Sequence, residues 1–241
     1  GIPGGMPGTI QVEGDADVML VTNDGALYRV DGNIGDPDFG SITVPSNSYP
    51  AEVTLHNRTG STLFPVYFGK PSATGSDYYG GSNVTQGVES DDDEPIILPA
   101  NTITDTNYYA LATGYDNGNP IYYPVKIHLP AGRDVEVTIE GSYGEVDVSN
   151  GFPGDICDFG LVPYEEQPGG TEHKPLNLLQ LLDSNNPEPK ISIEGSLSRI
   201  RVGTGKYYWQ AYYCDGSPAG HGVVDISEVH RGDMALKFTL E

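Results

Sequence analysis

Ala51-Glu52-Val53-Thr54-Leu55-His56-Asn57 alternates apolar and polar residues up to its closing His-Asn. Successive side chains of an extended strand point to opposite faces, so Ala51, Val53 and Leu55 share one face while Glu52, Thr54 and His56 share the other. The segment reads as a half-buried strand. It decides the fold class because the same period recurs on both sides of it.

Towards the N-terminus, Asp17 to Thr22 and Gly25 to Asp31 are strand candidates. Asn23-Asp24-Gly25 between them is a hairpin signal. Towards the C-terminus come Ser61 to Gly69, Asn107 to Thr113, Ile121 to Leu129, Arg133 to Glu140, Glu145 to Val148, Lys190 to Glu194, Leu197 to Val202, Lys206 to Cys214, Gly222 to Val229 and Met234 to Leu240. The breaks are Gly, Pro, Asn and Asp clusters, in a chain with 32 Gly and 19 Pro. Many short strands at this spacing predict an all-β protein, a β-sandwich, jelly roll or barrel, with long loops. Gly69 to Asp93 and Gly151 to Lys174 are the long loops. One helix is expected, over Pro175 to Asp183, with Leu178, Leu179 and Leu182 on one face. No convincing internal repeat is visible. The chain divides into an N-terminal extension, residues 1–13, and one β-sandwich domain, residues 14–241. Any break into lobes falls at 150–175.

The extension itself is Gly1 to Gly8 (GIPGGMPG) followed by Thr9-Ile10-Gln11-Val12-Glu13, with Ile10 and Val12 on one face. A Gly/Pro tether ahead of a strand either frays against its own sheet or reaches a neighbour and completes that neighbour's sheet.

The 241 residues carry 12 Lys plus Arg against 34 Asp plus Glu, a formal charge of −22. That sign excludes a nucleic-acid partner, whose phosphates need cations, and an anionic membrane surface. It suits divalent cations, basic partners or simple solubility. No apolar run reaches the roughly 18 residues a spanning helix needs. The two cysteines, Cys157 and Cys214, read as one disulfide closing a loop of nearly sixty residues, which implies export to an oxidising compartment; two separate buried thiols are the alternative. The sequons at Asn57 and Asn83 fit an exported glycoprotein. A signal peptide removed ahead of Gly1 is expected on the same view.

Three groups of residues are candidates for chemistry. The carboxylates Asp91-Asp92-Asp93-Glu94, Asp36 with Asp38, and Asp15 with Asp17 supply the oxygen-only donors that Ca²⁺ requires, although none completes an EF-hand; a solvated acidic loop is the plainer reading. Sixteen tyrosines include five adjacent pairs: Tyr78-Tyr79, Tyr108-Tyr109, Tyr122-Tyr123, Tyr207-Tyr208 and Tyr212-Tyr213. In a strand each pair turns one ring inward and one outward, which gives a surface for protein contact or, with Trp209, for sugar stacking. His56 and His128 read as structural, and His221 as either a ligand or a turn residue in Gly220-His221-Gly222. No nucleophile elbow, zinc-protease motif or P-loop is present, and Gly203-Thr204-Gly205-Lys206 reads as a hairpin turn. The chain is therefore read as a non-enzyme. Two carboxylates at glycosidase spacing remain the route by which it would be a hydrolase.

The flexible N-terminus with its β-like segment, the acidic all-β body and the aromatic-rich strands with acidic loops together resemble the cannula proteins. These are secreted subunits of extracellular tubes made by hyperthermophilic archaea. The resemblance is densest over Gly1 to Thr59. It implies a jelly-roll-like subunit, calcium-dependent assembly and a terminal strand inserted into the next subunit, with Thr9 to Glu13 as donor and the acidic loops as calcium sites. The expected function is a structural subunit of an extracellular or cell-surface filament, a homo-polymer. A secreted carbohydrate-binding or adhesive module is the alternative, with glycans as ligands.

Overall fold

The computed structural model describes residues 18–21, 27–30, 48–72, 75–79, 87–164, 177–182, 189–228 and 235–241. Its elements in chain order are β1 (Val18–Val21), β2 (Leu27–Val30), β3 (Ser48–Arg58), β4 (Val66–Ser72), β5 (Gly75–Tyr79), β6 (Asp93–Asn101), β7 (Thr106–Asp116), β8 (Asn119–Leu129), β9 (Val135–Glu140), β10 (Tyr143–Asn150), β11 (Ile156–Pro163), α1 (Leu178–Leu182), β12 (Ser196–Gly203), β13 (Gly205–Tyr213), β14 (Pro218–Ile226) and β15 (Leu236–Leu240). The class is all-β, with the expected short helix reduced to five residues.

Within this all-β class the described sheets repeat one sandwich arrangement twice. In the first unit β3 lies between β6, antiparallel, and β9, parallel. The facing sheet runs β4-β7-β8, all antiparallel, with β5 added beside β4. In the second unit β10 lies between β12, antiparallel, and β15, parallel, and the facing sheet runs β11-β13-β14. The registers correspond, apart from bulges in the second unit at Val146/Val148, Ile156/Asp158 and Ala211/Tyr212. His56↔Asp93 corresponds to Ser149↔Ser196, and Asn57↔Ile139 to Asn150↔Leu240. Val66↔Ala112 corresponds to Phe159↔Ala211, and Tyr108↔Ile127 to Tyr207↔Val224. The boundary falls at Gly141-Ser142, earlier than 150–175.

Each unit has its own core. Val53, Leu55, Phe68, Ile96, Leu98, Tyr108 and Ile127 are buried together in the first, and Val146, Val148, Phe159, Val202, Tyr207, Trp209 and Ile226 in the second. This is the inward half of each period-two pattern, and its removal from water is the main stabilising term.

The connections between β4 and β6 and between β11 and β12 hold the largest local departures from the sequence reading. The first unit inserts β5 and a bridge Leu63↔Val88 where one long loop is expected. The second inserts α1 and a bridge Ile156↔Ile191, so Lys190 to Glu194 is a single bridge and a turn, not a strand. β6 and β11 fall where the reading has no strand: Pro95 and Pro99 interrupt one, and Asp155, Cys157 and Asp158 obscure the other. Gly203-Thr204-Gly205 joins β12 of one sheet to β13 of another and closes no hairpin.

Candidate functional site: the seam between the units

Both units hang on one buried asparagine. Asn57 Nδ2 donates to the carbonyls of Ser61, Val88 and Glu89 at 2.8, 2.8 and 2.9 Å, and its Oδ1 accepts from the Thr59 amide and hydroxyl. Asn150 Nδ2 donates to Gly154, Ile191 and Ser192 at 2.9, 3.1 and 3.2 Å, and its Oδ1 accepts from the Phe152 amide. Each ties together backbone carbonyls of the neighbouring bridge and turn, in the place where burial makes an unmade bond expensive. Just beyond, Asp91 and Glu194 both adopt left-handed backbone, at φ 62° and 58°. Asn57 is fully buried. A glycan on its Nδ2 and this arrangement exclude one another, so the sequon at Asn57 is a strut in the fold.

The units meet edge to edge. β8 and β12 pair in parallel, Ile121 with Arg201 and Tyr122 with Val202. That pairing fuses the second sheet of one unit to the first sheet of the next, giving a seven-stranded sheet β15-β10-β12-β8-β7-β4-β5. The ladder is short for a local reason. Thr113 exchanges backbone hydrogen bonds with Phe64 and Pro65 on the β4 side. Its partner Tyr122 therefore turns its amide away from β7, towards β12. Pro120 and Pro124, two residues to either side, occupy the other such positions and have no amide hydrogen to give.

Side chains lock the seam. Arg201 Nη1 donates to the Asp116 carboxylate at 3.2 Å and its Nε to Glu145 at 3.3 Å. The Tyr143 hydroxyl donates to the same Asp116 carboxylate at 2.9 Å, and the Arg201 guanidinium lies 5.3 Å from the Tyr143 ring centre. The bond to Asp116, then burial, raises the Tyr143 hydroxyl above its ordinary pKa. Behind this polar latch, Tyr109, Leu111 and Tyr122 of the first unit pack into the second unit's core with Leu161, Leu178 and Leu179. The helix α1 thus plugs the seam with its predicted leucine face. Gly203 is required here, because a Cβ on it would meet the Tyr123 ring at 2.8 Å.

The tyrosine pairs do not give the expected outward surface: in Tyr108-Tyr109 and Tyr122-Tyr123 both rings are buried, and the buried rings include the proposed sugar platform. Tyr207 and Trp209 are 5% and 6% exposed, and Trp209 packs against Phe238 at 6.4 Å between centroids. Burial pushes Tyr122, Tyr123 and Tyr207 up to about 12, so all three are neutral core residues. Outside, Tyr208 stacks on Tyr164 at 4.6 Å, with Lys206 above Tyr164. His221 is corrected from turn to strand. Gly220 and Gly222 flank it because a Cβ on either would strike the Phe152 ring or the Trp209 indole.

Cys157 and Cys214 form the expected disulfide, tying the start of β11 to the end of β13. Among the acidic candidates, Asp91 and Asp92 are exposed turn residues, Asp93 opens β6 and Glu94 follows it. Asp93 accepts from His56 at 2.7 Å and from Arg58 at 2.9 Å, and these bonds hold its carboxyl below the usual aspartate range. Its carboxylate is thus bonded to two side chains of the protein's own. Among the described residues no group of three or more His, Cys, Asp or Glu converges on one point. Thr9, Ile10, Gln11, Val12, Glu13, Asp15, Asp17, Asp36, Asp38 and Asn83 lie outside the described residues. No helix among the described residues is long and apolar enough to cross a membrane.

No family model and no curated protein matches the chain. Among solved structures it is similar to the Bacillus anthracis TIE protein, at 14% identity over 80% of this chain and 33% of that chain, with a TM-score of 0.25. A likeness at that score carries no argument.

Proposed function

We propose that the chain is a non-enzymatic structural subunit of an extracellular filament or tube, in which Thr9 to Glu13 of one copy completes a sheet of the next. The observation that supports this reading most is the seam. Two copies of one sandwich are already joined within the chain by adding an edge strand of one to an edge strand of the other, and a side-chain latch fixes the angle. A fold that joins its own copies in this way needs only one more strand contact between chains to propagate, because a heterologous contact does not close on itself. The disulfide supports an oxidising, extracellular setting. Calcium belongs to this reading through the sequence and the cannula resemblance.

The test is electron microscopy of the full chain, with calcium and with a chelator, beside a chain lacking Gly1 to Glu13. Filaments from the full chain and none from the truncated, folded chain are the expected result. Monomers under every condition would overturn the filament reading, and filaments indifferent to chelator would remove calcium from it.

A further inference from the structure

We infer that β14 is the edge that receives the donor strand of another copy. This rests on the strand-donation reading above and adds the acceptor to it.

The comparison between units selects β14. It corresponds to β8, the strand on which the first unit carries β12. In the second unit the same position ends its sheet, β11-β13-β14, with nothing paired beyond it among the described residues. Its free side also bears more donors than β8 does. The Tyr213 amide bonds to Ser217 on the β14 side, and the Lys206 carbonyl accepts from Tyr164 on the β11 side. Odd residues of β13 therefore face β14 and even ones face β11. Gln210 and Tyr208 stand opposite His221 and Val223. Those two residues, and Asp225 after them, turn their amides to the open edge. None of them is proline, whereas β8 has Pro120 and Pro124 on either side of its single seam amide.

The edges of β6 and β11 are blunted by contrast. Pro50 stands opposite Pro99 in the β3–β6 ladder, so neither can bond to the other and both nitrogens point away from it. Pro99, and Pro95 four residues before it, thus strip donors from the free side of β6. On β11 the Asn177 side chain covers the edge, accepting from the Phe159 amide and donating to the Cys157 carbonyl. β9 and β15 are the short closing strands of their units.

The occupant fits by length and period. His221, Val223 and Asp225 spread over five residues, and Thr9 to Glu13 is five residues long. On β14 the even residues Val224 and Ile226 face the core while His221, Val223 and Asp225 face solvent. A strand laid alongside extends the inner face with Ile10 and Val12 and the outer face with Thr9, Gln11 and Glu13.

The test is Val223→Pro in the full chain, with folding followed by Trp209 fluorescence and assembly by sedimentation. The backbone it changes faces outward, so the subunit is expected to fold while the critical concentration for assembly rises about tenfold or more. A second measurement is independent of any folding defect: one copy carrying Gln11→Cys is mixed with another carrying Val223→Cys, and an intermolecular disulfide is expected on oxidation. If Val223→Pro assembles like the unaltered chain and no cross-link forms, while deletion of Gly1 to Glu13 still abolishes assembly, the acceptor lies elsewhere and the proposed function stands. If the deletion leaves assembly intact, strand donation fails and this inference fails with it.

Discussion

The two units share a ladder arrangement, a buried asparagine and a few strand residues, yet at their edges and turns the choices at equivalent positions differ. Where the second unit places Cys157 and Cys214, the first places Phe64 and Tyr115, both about half exposed. Where the first pairs His56 with Asp93, the second has Ser149 opposite Ser196. Opposite the shared glutamates Glu52 and Glu145 stand Ile97 and Arg201; opposite Pro50 and Tyr143 stand Pro99 and Gly203. The difference teaches that the sandwich is held by its core and its asparagine, while edges and turns are free to specialise. One β12-type edge became a joint and the other became a proline-guarded end, as the outer repeats of stacked arrays do.

The largest effect expected from breaking this comparison is reduction of the disulfide. It closes 57 residues, and removing a loop of that size costs roughly 4 kcal/mol in the chain-entropy model. Trp209, the single tryptophan, reports the second unit alone. Its unfolding midpoint in urea should fall on reduction while circular dichroism retains a first-unit transition; a uniform loss across both signals would refute independent cores. Next come Asn57→Ala and Asn150→Ala, each expected to cost about 3 kcal/mol because a buried amide that makes several hydrogen bonds at once is lost. Only the second should move the Trp209 signal strongly. Smaller still is Arg201→Met at the seam. Asp116 is 40% exposed, so solvent screens the ion pair and the loss should stay below about 1 kcal/mol. Its signature is a wider separation between the two transitions, and unchanged coupling would show that the apolar plug alone holds the units together.

The smallest effect is on pH. The folded Asp93 carboxyl sits below its ordinary value because His56 and Arg58 bond to it. A depressed carboxyl contributes stability above its unfolded pKa and loses it as pH falls through the folded one. Acidification below about pH 4 should therefore lower the circular-dichroism midpoint slightly more in the chain as it is than in His56→Ser/Asp93→Ser, which copies the second unit and keeps the lowered carboxyls of Asp155 and Asp215.

The fold class was legible, because period two survives in nearly every strand. The duplication was legible in principle and went unseen. Glu52-Val53-x-Leu55-x-Asn57 returns as Glu145-Val146-x-Val148-x-Asn150, Tyr108-Tyr109-x-x-Ala112 as Tyr207-Tyr208-x-x-Ala211, and Val137-Thr138-Ile139-Glu140 as Phe238-Thr239-Leu240-Glu241. Each echo is short, and the inserts carrying β5 and α1 differ in length, so no fixed spacing links the three. Asn57 was legible only as a sequon, since a triplet cannot reveal that its amide is enclosed. His221 looked like a turn because its glycines make room for Phe152 and Trp209, a packing demand invisible until both rings are placed. The seam was not legible, because Asp116 and Arg201 are far apart in sequence and meet only across two sheets.

In each unit the first and last strands lie side by side and run the same way, β3 with β9 and β10 with β15. Tension along the chain enters at one end of such a pair and leaves at the opposite end. It must slide one strand past the other, loading every hydrogen bond of the ladder together instead of peeling them one by one. A chain built this way resists being pulled apart at its ends, and the Gly141-Ser142 link passes the load from one unit to the next.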